Sequence, residues 1–349
     1  MTRVAAIDCG TNTIRLLIAD LAWDGSGRTH LEPLRRRNEI VRLGQGVDRT
    51  GMLDPAALER TLAVVEDYAA DCAEFGVEPG EGNRRFVATS ATRDARNRED
   101  FVAGVRRLLG VAPEVISGQE EARLSFTGSL LGARESADGG AAPRLVVDLG
   151  GGSTELVLGV DAPAAAISLD IGSVRLTERY LADGVTPAAE EAARIEVREL
   201  LDRAARTVDL AAAGRLVGLA GTITTVTAHA LGLAEFDPEA IDGAELSVED
   251  ALASCDAIVH STAAERESWG YLRPGRRDVI AAGALVWSEV IARVVAETTA
   301  AGRPLGVVVT SLHDILDGIA LSLAPGSSAS AERTKTVEAT LSPAPGSGR

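Results

Sequence analysis

Apolar residues in this chain follow two rhythms. Short runs rich in Val, Leu, Ile and Ala at 4–7, 85–88, 111–116, 145–147, 216–219 and 305–310 predict buried strands, and 37–43 predicts a further strand that Gly44, Gly46 and Gly51 then break. Between these runs the spacing is helical. Asp54-Pro55 opens one helix, with Asp as cap and Pro at the first helical position. Its apolar stripe is Leu58, Leu62, Val65, Ala69 and Cys72, which makes Cys72 a core residue. Ala220-Gly221-Thr222 opens another helix directly after a strand, and 311–323 predicts a terminal helix. Residues 135–143 read as a loop, and 324–349, rich in Pro, Gly, Ser, Ala and Thr without periodicity, as a disordered tail. Alternating strands and helices predict an α/β protein.

Two of the runs continue identically. Asp8-Cys9-Gly10-Thr11-Asn12-Thr13-Ile14-Arg15-Leu16 and Asp148-Leu149-Gly150-Gly151-Gly152-Ser153-Thr154-Glu155-Leu156 both read Asp-x-Gly-x-x-Ser/Thr-x-x-Leu, 140 residues apart. A buried strand ending in Asp, a small-residue turn and a second apolar strand predict a hairpin with its loop pointing outward. Small residues there leave backbone N–H groups free to converge on an anion, and the strand-end Asp can hold a hard cation beside it. One Gly-Gly-Gly is a common turn. Two copies in equivalent places predict two related domains that grip a phosphate–metal unit across a cleft.

Bulk composition narrows the class. With 349 residues the chain favours two domains, and 46% apolar residues with only 3% aromatics imply cores of Ala, Val, Leu and Ile. A net charge of −16 argues against a nucleic-acid partner. Three scattered cysteines suit a reduced cytosol, and four isolated histidines without Cys-x-x-Cys give no zinc site. The first ten residues lack the shape of a signal peptide, and 279–287 is too short to span a bilayer, so a cytoplasmic protein without a membrane partner is expected.

Several residues outside the loops are candidates for chemistry. Ser117 and Glu120 have capping-box spacing, which gives Glu120 a structural task. Glu121 points about 100° away in the first helical turn, where it is either a functional carboxylate or a surface one. Arg93 follows a strand end and could fork two phosphate oxygens, or pair with Asp94 or Glu99. Arg35-Arg36-Arg37 is either a solvated edge or a guide for a polyanion, and Gly221 and Thr222 either touch an anion or merely start a helix.

Taken together, the Asp-Cys-Gly-Thr-Asn-Thr opening, 41–47, 88–97, 117–124, 148–158, 218–225, 277–284 and 313–318 resemble the exopolyphosphatase and guanosine-pentaphosphate phosphohydrolase (Ppx/GppA) family, over residues 1 to 320 in order. Cys9 departs from the commoner aliphatic residue at its position. The resemblance implies two ribonuclease H-like domains of the actin, Hsp70 and sugar-kinase superfamily, with the active site in the cleft between them. They would be 1–117, completed by the helix at 311–323, and 118–310. It implies hydrolysis of the terminal phosphoanhydride of inorganic polyphosphate with Mg²⁺, or Mn²⁺ in its place, in a homodimer. Glu121 would be the general base, Asp148, Glu155 and Asp8 would surround the metal, with Glu155 also beside the attacking water, and Arg93 would bind phosphate. Thr11, Asn12, Thr13, Gly150, Gly151, Gly152, Ser153, Gly221 and Thr222 would wrap the terminal phosphate. The same site would suit guanosine pentaphosphate, a stringent-response substrate, or ATP. The contrasting class is a nucleotide-gated binding protein of the actin or Hsp70 kind, and a sugar kinase would need an acceptor pocket and catalytic Asp that no residue here supplies. The acidic balance leaves phosphate attraction to local arginines and bound metal, which favours short or metal-neutralised chains.

Overall fold

The computed structural model describes residues 1–23, 29–80, 82–132 and 142–324. In the first half, β1 (Thr2–Cys9), β2 (Thr13–Trp23), β3 (Thr29–Ile40), β4 (Arg84–Ala88) and β5 (Glu114–Val115) form a sheet of order β3-β2-β1-β4-β5. In the second, β6 (Arg144–Leu149), β7 (Thr154–Gly159), β8 (Pro163–Leu169), β9 (Arg215–Leu219), β10 (Glu245–Ser247) and β11 (Val307–Thr310) form one of order β10-β11-β9-β6-β7-β8. The two sheets share a plan. An antiparallel meander of three strands leads to a parallel neighbour on the far side of its first strand, β4 beside β1 and β9 beside β6. This is the pair of related α/β units that the repeated hairpin implied.

Each half has its own core. The helix Pro55–Glu74 starts at Asp54, whose side chain accepts from the amides of Ala56 and Ala57, and packs Val65, Tyr68 and Cys72 against Ile7 and Phe86. In the second half the helix Ile280–Ala300 buries Leu285, Trp287 and Ile291 in a larger cluster with Leu145, Leu156 and Leu216. The helix Gly118–Ser129 joins the halves. Leu124 packs with Val4 and Ala6, while Ala122 and Phe126 pack with Val146 and Val157. It crosses the helix Ile315–Leu321 at closest approach, where a Cβ on Gly128 would lie 1.8 Å from the Asp314 carbonyl oxygen and one on Gly318 2.0 Å from that of Leu124. No side chain larger than hydrogen fits at either crossing point.

Some boundaries differ from those expected. β3 begins at Thr29, not 37, because it is an edge strand held by its ladder to β2; without a buried face it carries no apolar alternation. β5 shrinks to Glu114–Val115, since Pro113 has no N–H for a ladder, and β11 starts at Val307. The terminal helix is Ile315–Leu321, capped by Asp314, and Ala324 is buried in the cluster around Val4, so it belongs to the packed structure rather than to a tail. Residues 325–349 and most of the expected 135–143 loop lie outside the described residues. Ser117 accepts the Glu120 amide at 3.2 Å, but the Glu120 carboxylate binds Arg123 and Arg85 instead of closing a capping box. The arginine run is not a free edge: Arg35 and Arg37 pair with Asp71, Arg36 pairs with Asp317, and two of the guanidiniums lie over Phe75 and Tyr68. Among the described residues no helix is long and apolar enough to cross a membrane.

Candidate active site

Both hairpin loops are closed by the same bond. The Gly10 amide donates to the Thr13 carbonyl at 2.9 Å, and the Gly150 amide to that of Ser153 at 3.0 Å. Loop carbonyls are also tied back alike. Amides of Val41 and Arg42 reach Asn12 and that of Gly44 reaches Thr11, while amides of Ser173 and of Val174 and Arg175 reach Gly150 and Gly151. With their carbonyls held, Thr11, Asn12, Gly151 and Gly152 keep amides that have no intramolecular acceptor among the described residues. That is a ready anion nest on each side.

The loops face each other across a solvent-open cavity that also takes in Ser90, Glu121, Gly221, Thr222 and Arg276. Thr11 and Ser90 share a hydrogen bond of 2.9 Å between hydroxyls, and a Cβ on Gly152 would come within 2.5 Å of both oxygens. Backbone of the second loop therefore abuts side chains of the first half. At Gly221 a Cβ would lie 1.8 Å from Arg276 Nη1, so glycine there makes room for the guanidinium. The preceding Ala220 has φ of 72°, a left-handed turn that an L-residue adopts at a cost and that leads β9 into its helix.

Buried carboxylates define the electrostatics. Glu121, 7% exposed, accepts from Arg93 Nη1 at 3.2 Å, and the same nitrogen donates to the Ile116 carbonyl at 3.0 Å. Burial raises the Glu121 pKa well above the ordinary carboxylate range; Arg93 opposes that rise, and Asp148 and Asp8 add to it. Glu155, 1% exposed, accepts from Ser168 Oγ at 2.6 Å, and burial with the charges of Glu121 and Asp148 pushes it up as well. Asp148 accepts from Ser125 Oγ at 2.5 Å and is raised to about 6, first by burial and then by Asp314. On the first hairpin Arg15 places Nε and Nη2 on Asp8 Oδ2 at 2.9 and 2.6 Å and Nη1 on Asp314. Burial opposes the Arg15 charge, but Asp314 and Asp8 outweigh it and keep the guanidinium protonated.

The structure thus brings Thr11, Asn12, Thr13, Gly150, Gly151, Gly152, Ser153, Gly221, Thr222, Asp8, Asp148, Glu155 and Glu121 to one cavity. Arg93 meets that cavity through Glu121 and takes neither Asp94 nor Glu99 as partner; Asp94 pairs with Arg175. Asp8, expected beside a metal, is paired with Arg15, which it shares with Asp314. Sequence reasoning missed Arg15, Asp314, Ser125, Ser168 and Arg276. Arg276 forms no ion pair among the described residues and its pKa falls to about 10, from burial and then the nearby Arg273 and Arg15. Only its place near a strongly charged turn marked it in the sequence.

Asp148 and Glu155 offer the hard oxygen donors that Mg²⁺ takes, and a cation would relieve the repulsion that raises their pKa values. Among the described residues no three His, Cys, Asp or Glu side chains form a closed cage. Mg²⁺ needs none, since it commonly keeps waters and phosphate oxygens beside one or two carboxylates.

Known proteins share much of this sequence and fold. The model of the Ppx/GppA phosphatase family matches residues 24–300. Exopolyphosphatase 2 of Mycobacterium tuberculosis is 47% identical over 330 residues, 93% of this chain and 99% of that protein. The crystal structure of an exopolyphosphatase-like protein superposes with a TM-score of 0.84 at 46% identity, covering 92% of this chain and 98% of the other. The Aquifex aeolicus member of the Ppx/GppA family gives 0.71 at 26% identity, over 98% and 99%.

Proposed function

The chain belongs to the Ppx/GppA phosphatase family and is a phosphoanhydride hydrolase, and from that premise we propose that it releases the terminal orthophosphate of inorganic polyphosphate in a Mg²⁺-dependent reaction. The observation that carries the reading is Glu121, a buried carboxylate held by Arg93 in a cavity walled by both loops. Burial makes this carboxylate basic, while Arg93 favours its ionised form. It can therefore orient a water and take its proton as the water oxygen attacks the terminal phosphorus in line. The bond from that phosphorus to the bridging oxygen breaks, and the electron pair leaves with the shortened chain. Amides of the two loops would hold the terminal phosphate, and Arg93 and Arg276 would balance its negative charge. Mg²⁺ held by Asp148 and Glu155, themselves positioned by Ser125 and Ser168, would supply further charge neutralisation on the phosphate oxygens.

The test is phosphate release with Mg²⁺ from short polyphosphate, long polyphosphate, guanosine pentaphosphate and ATP, by the wild type and by Glu121→Gln. Release from polyphosphate that falls by about 10²-fold or more in the variant, with substrate binding retained, is the expected result. Near-wild-type turnover in the variant would remove Glu121 as the base. Selective release from guanosine pentaphosphate would reassign the substrate.

A further inference from the structure

Arg175 makes contacts that neither loop chemistry nor helix geometry requires. It lies in the short helix Ser173–Leu176, whose backbone amides already tie the carbonyls of Gly150 and Gly151. Its side chain is 12% exposed. Nε donates to the Gly152 carbonyl at 2.8 Å, Nη1 to Asp48 Oδ1 at 2.7 Å and Nη2 to Asp94 Oδ2 at 2.6 Å. One guanidinium thus joins the phosphate loop of the second half to two carboxylates of the first. Asp94 directly follows Arg93, the residue that holds Glu121. Asp48 also receives two bonds from Arg179, and the adjoining Glu178 accepts the Gly46 amide at 2.8 Å. Hydrogen bonds from Arg179, with the charge of Arg175, hold the Asp48 carboxyl below its usual range, so the anion persists at neutral pH.

We propose that Arg175 is a positioning residue that locks the Gly152 loop to the helix Ser90–Asp94, which carries Arg93, and so closes the phosphate-binding end of the cleft. An exposed ion pair contributes little and would set nothing. Arg175 differs because its third bond ends on the loop itself. Gly152 has no side chain of its own to fix its distance from Thr11 and Ser90. The fork supplies that constraint: when the halves are together, the loop carbonyl, the end of the helix Ser90–Asp94 and the short helix Val47–Thr50 share one rigid planar group. A loop displaced by about 1 Å would still collect substrate through the first loop and Arg276 but would present the terminal phosphorus badly to the attacking water, a fault that can cost about 10²-fold in rate. The inference rests on the phosphohydrolase reading above.

The experiment combines kinetics with an interdomain distance. Arg175→Gln, Arg175→Lys, Asp94→Asn and the double variant Arg175→Gln/Asp94→Asn are compared for kcat and KM of phosphate release from polyphosphate. Spin labels at Glu59→Cys and Ile195→Cys, exposed sites in the first and second halves, report the separation, and the native Cys9, Cys72 and Cys255 are buried away from the label. Arg175→Gln is expected to lower kcat about tenfold or more with a smaller change in KM. The double variant should be no worse than Arg175→Gln alone, and the label distance should broaden. Lys, with one prong instead of a fork, should restore only part of kcat. Unchanged kcat and distance in Arg175→Gln would overturn the proposal, as would strictly additive losses in the double variant. Should the wild type release no phosphate from polyphosphate, the hydrolase reading fails by itself while the distance comparison still decides whether Arg175 ties the halves.

Discussion

The two hairpins have the same backbone and opposite electrostatics. In each, the strand-end Asp faces, in register, the residue seven positions on: Asp8 opposite Arg15 in the first, Asp148 opposite Glu155 in the second. The first cross-strand pair attracts, and Arg15 also binds Asp314, so that hairpin carries a buried network of one guanidinium and two carboxylates. The second pair repels, and its carboxylates rest on Ser125 and Ser168 hydroxyls in place of any cation. A single exchange, Arg for Glu at one register position, separates a hairpin with a built-in cation from one whose facing side chains are both acids. On the reading proposed above, Mg²⁺ would bind at the second hairpin, while amides of both loops would hold the phosphate.

The largest test of that contrast lies on the first hairpin. Arg15→Met leaves Asp8 and Asp314 buried without compensation and should cost about 3–5 kcal/mol of stability in urea melts, because a broken buried pair strands its partner charge. A loss under about 1 kcal/mol would mean that the network is not what holds this loop. On the second hairpin the sign should reverse. Glu155→Gln keeps an acceptor for Ser168 Oγ and removes one of the repelling acids, so the metal-free protein should hold its stability or gain about 1 kcal/mol, while turnover should need more Mg²⁺. An unchanged Mg²⁺ dependence would place Glu155 away from the metal. The smallest effect concerns pH. Asp148 releases its proton near pH 4 in the unfolded chain but at about 6 in the native one, chiefly through burial. The native state therefore binds more protons between those values, and metal-free stability should fall as pH rises from about 4 to about 6. Urea midpoints with chelator should show that slope, and excess Mg²⁺ should flatten it. A slope unchanged in Asp148→Asn would show Asp148 ionising without penalty.

The hairpins were legible because everything that defines them is local. Strand, turn and strand occupy nine consecutive residues, and a one-residue slip would turn every buried side chain outward. Glu121 was visible as a carboxylate in a first helical turn with no capping duty, although its burial was not. Arg93 looked like a free phosphate fork, yet its nitrogen is on Glu121 and the Ile116 carbonyl. The arginine run at 35–37 looked available for a polyanion, but Asp71 and Asp317 approach it from a helix and from the end of the chain. The first part of edge strand β3, before residue 37, escaped for a related reason, since it has no buried face to write a pattern.

What the sequence determined by itself was periodicity and repetition: two α/β halves, two phosphate-type loops, and the family to which their order belongs. These depend on neighbours along the chain, whose spacing is set by covalent geometry. The charge state of the site was decided only by tertiary structure. Arg15 reaches Asp314 across 299 residues, Arg175 reaches Asp48 across 127, and Arg93 reaches Glu121 across 28. A lone Arg or Glu in a sequence carries its charge but not its partner, and in a buried cleft the partner decides whether that charge is scaffold, base or binding group.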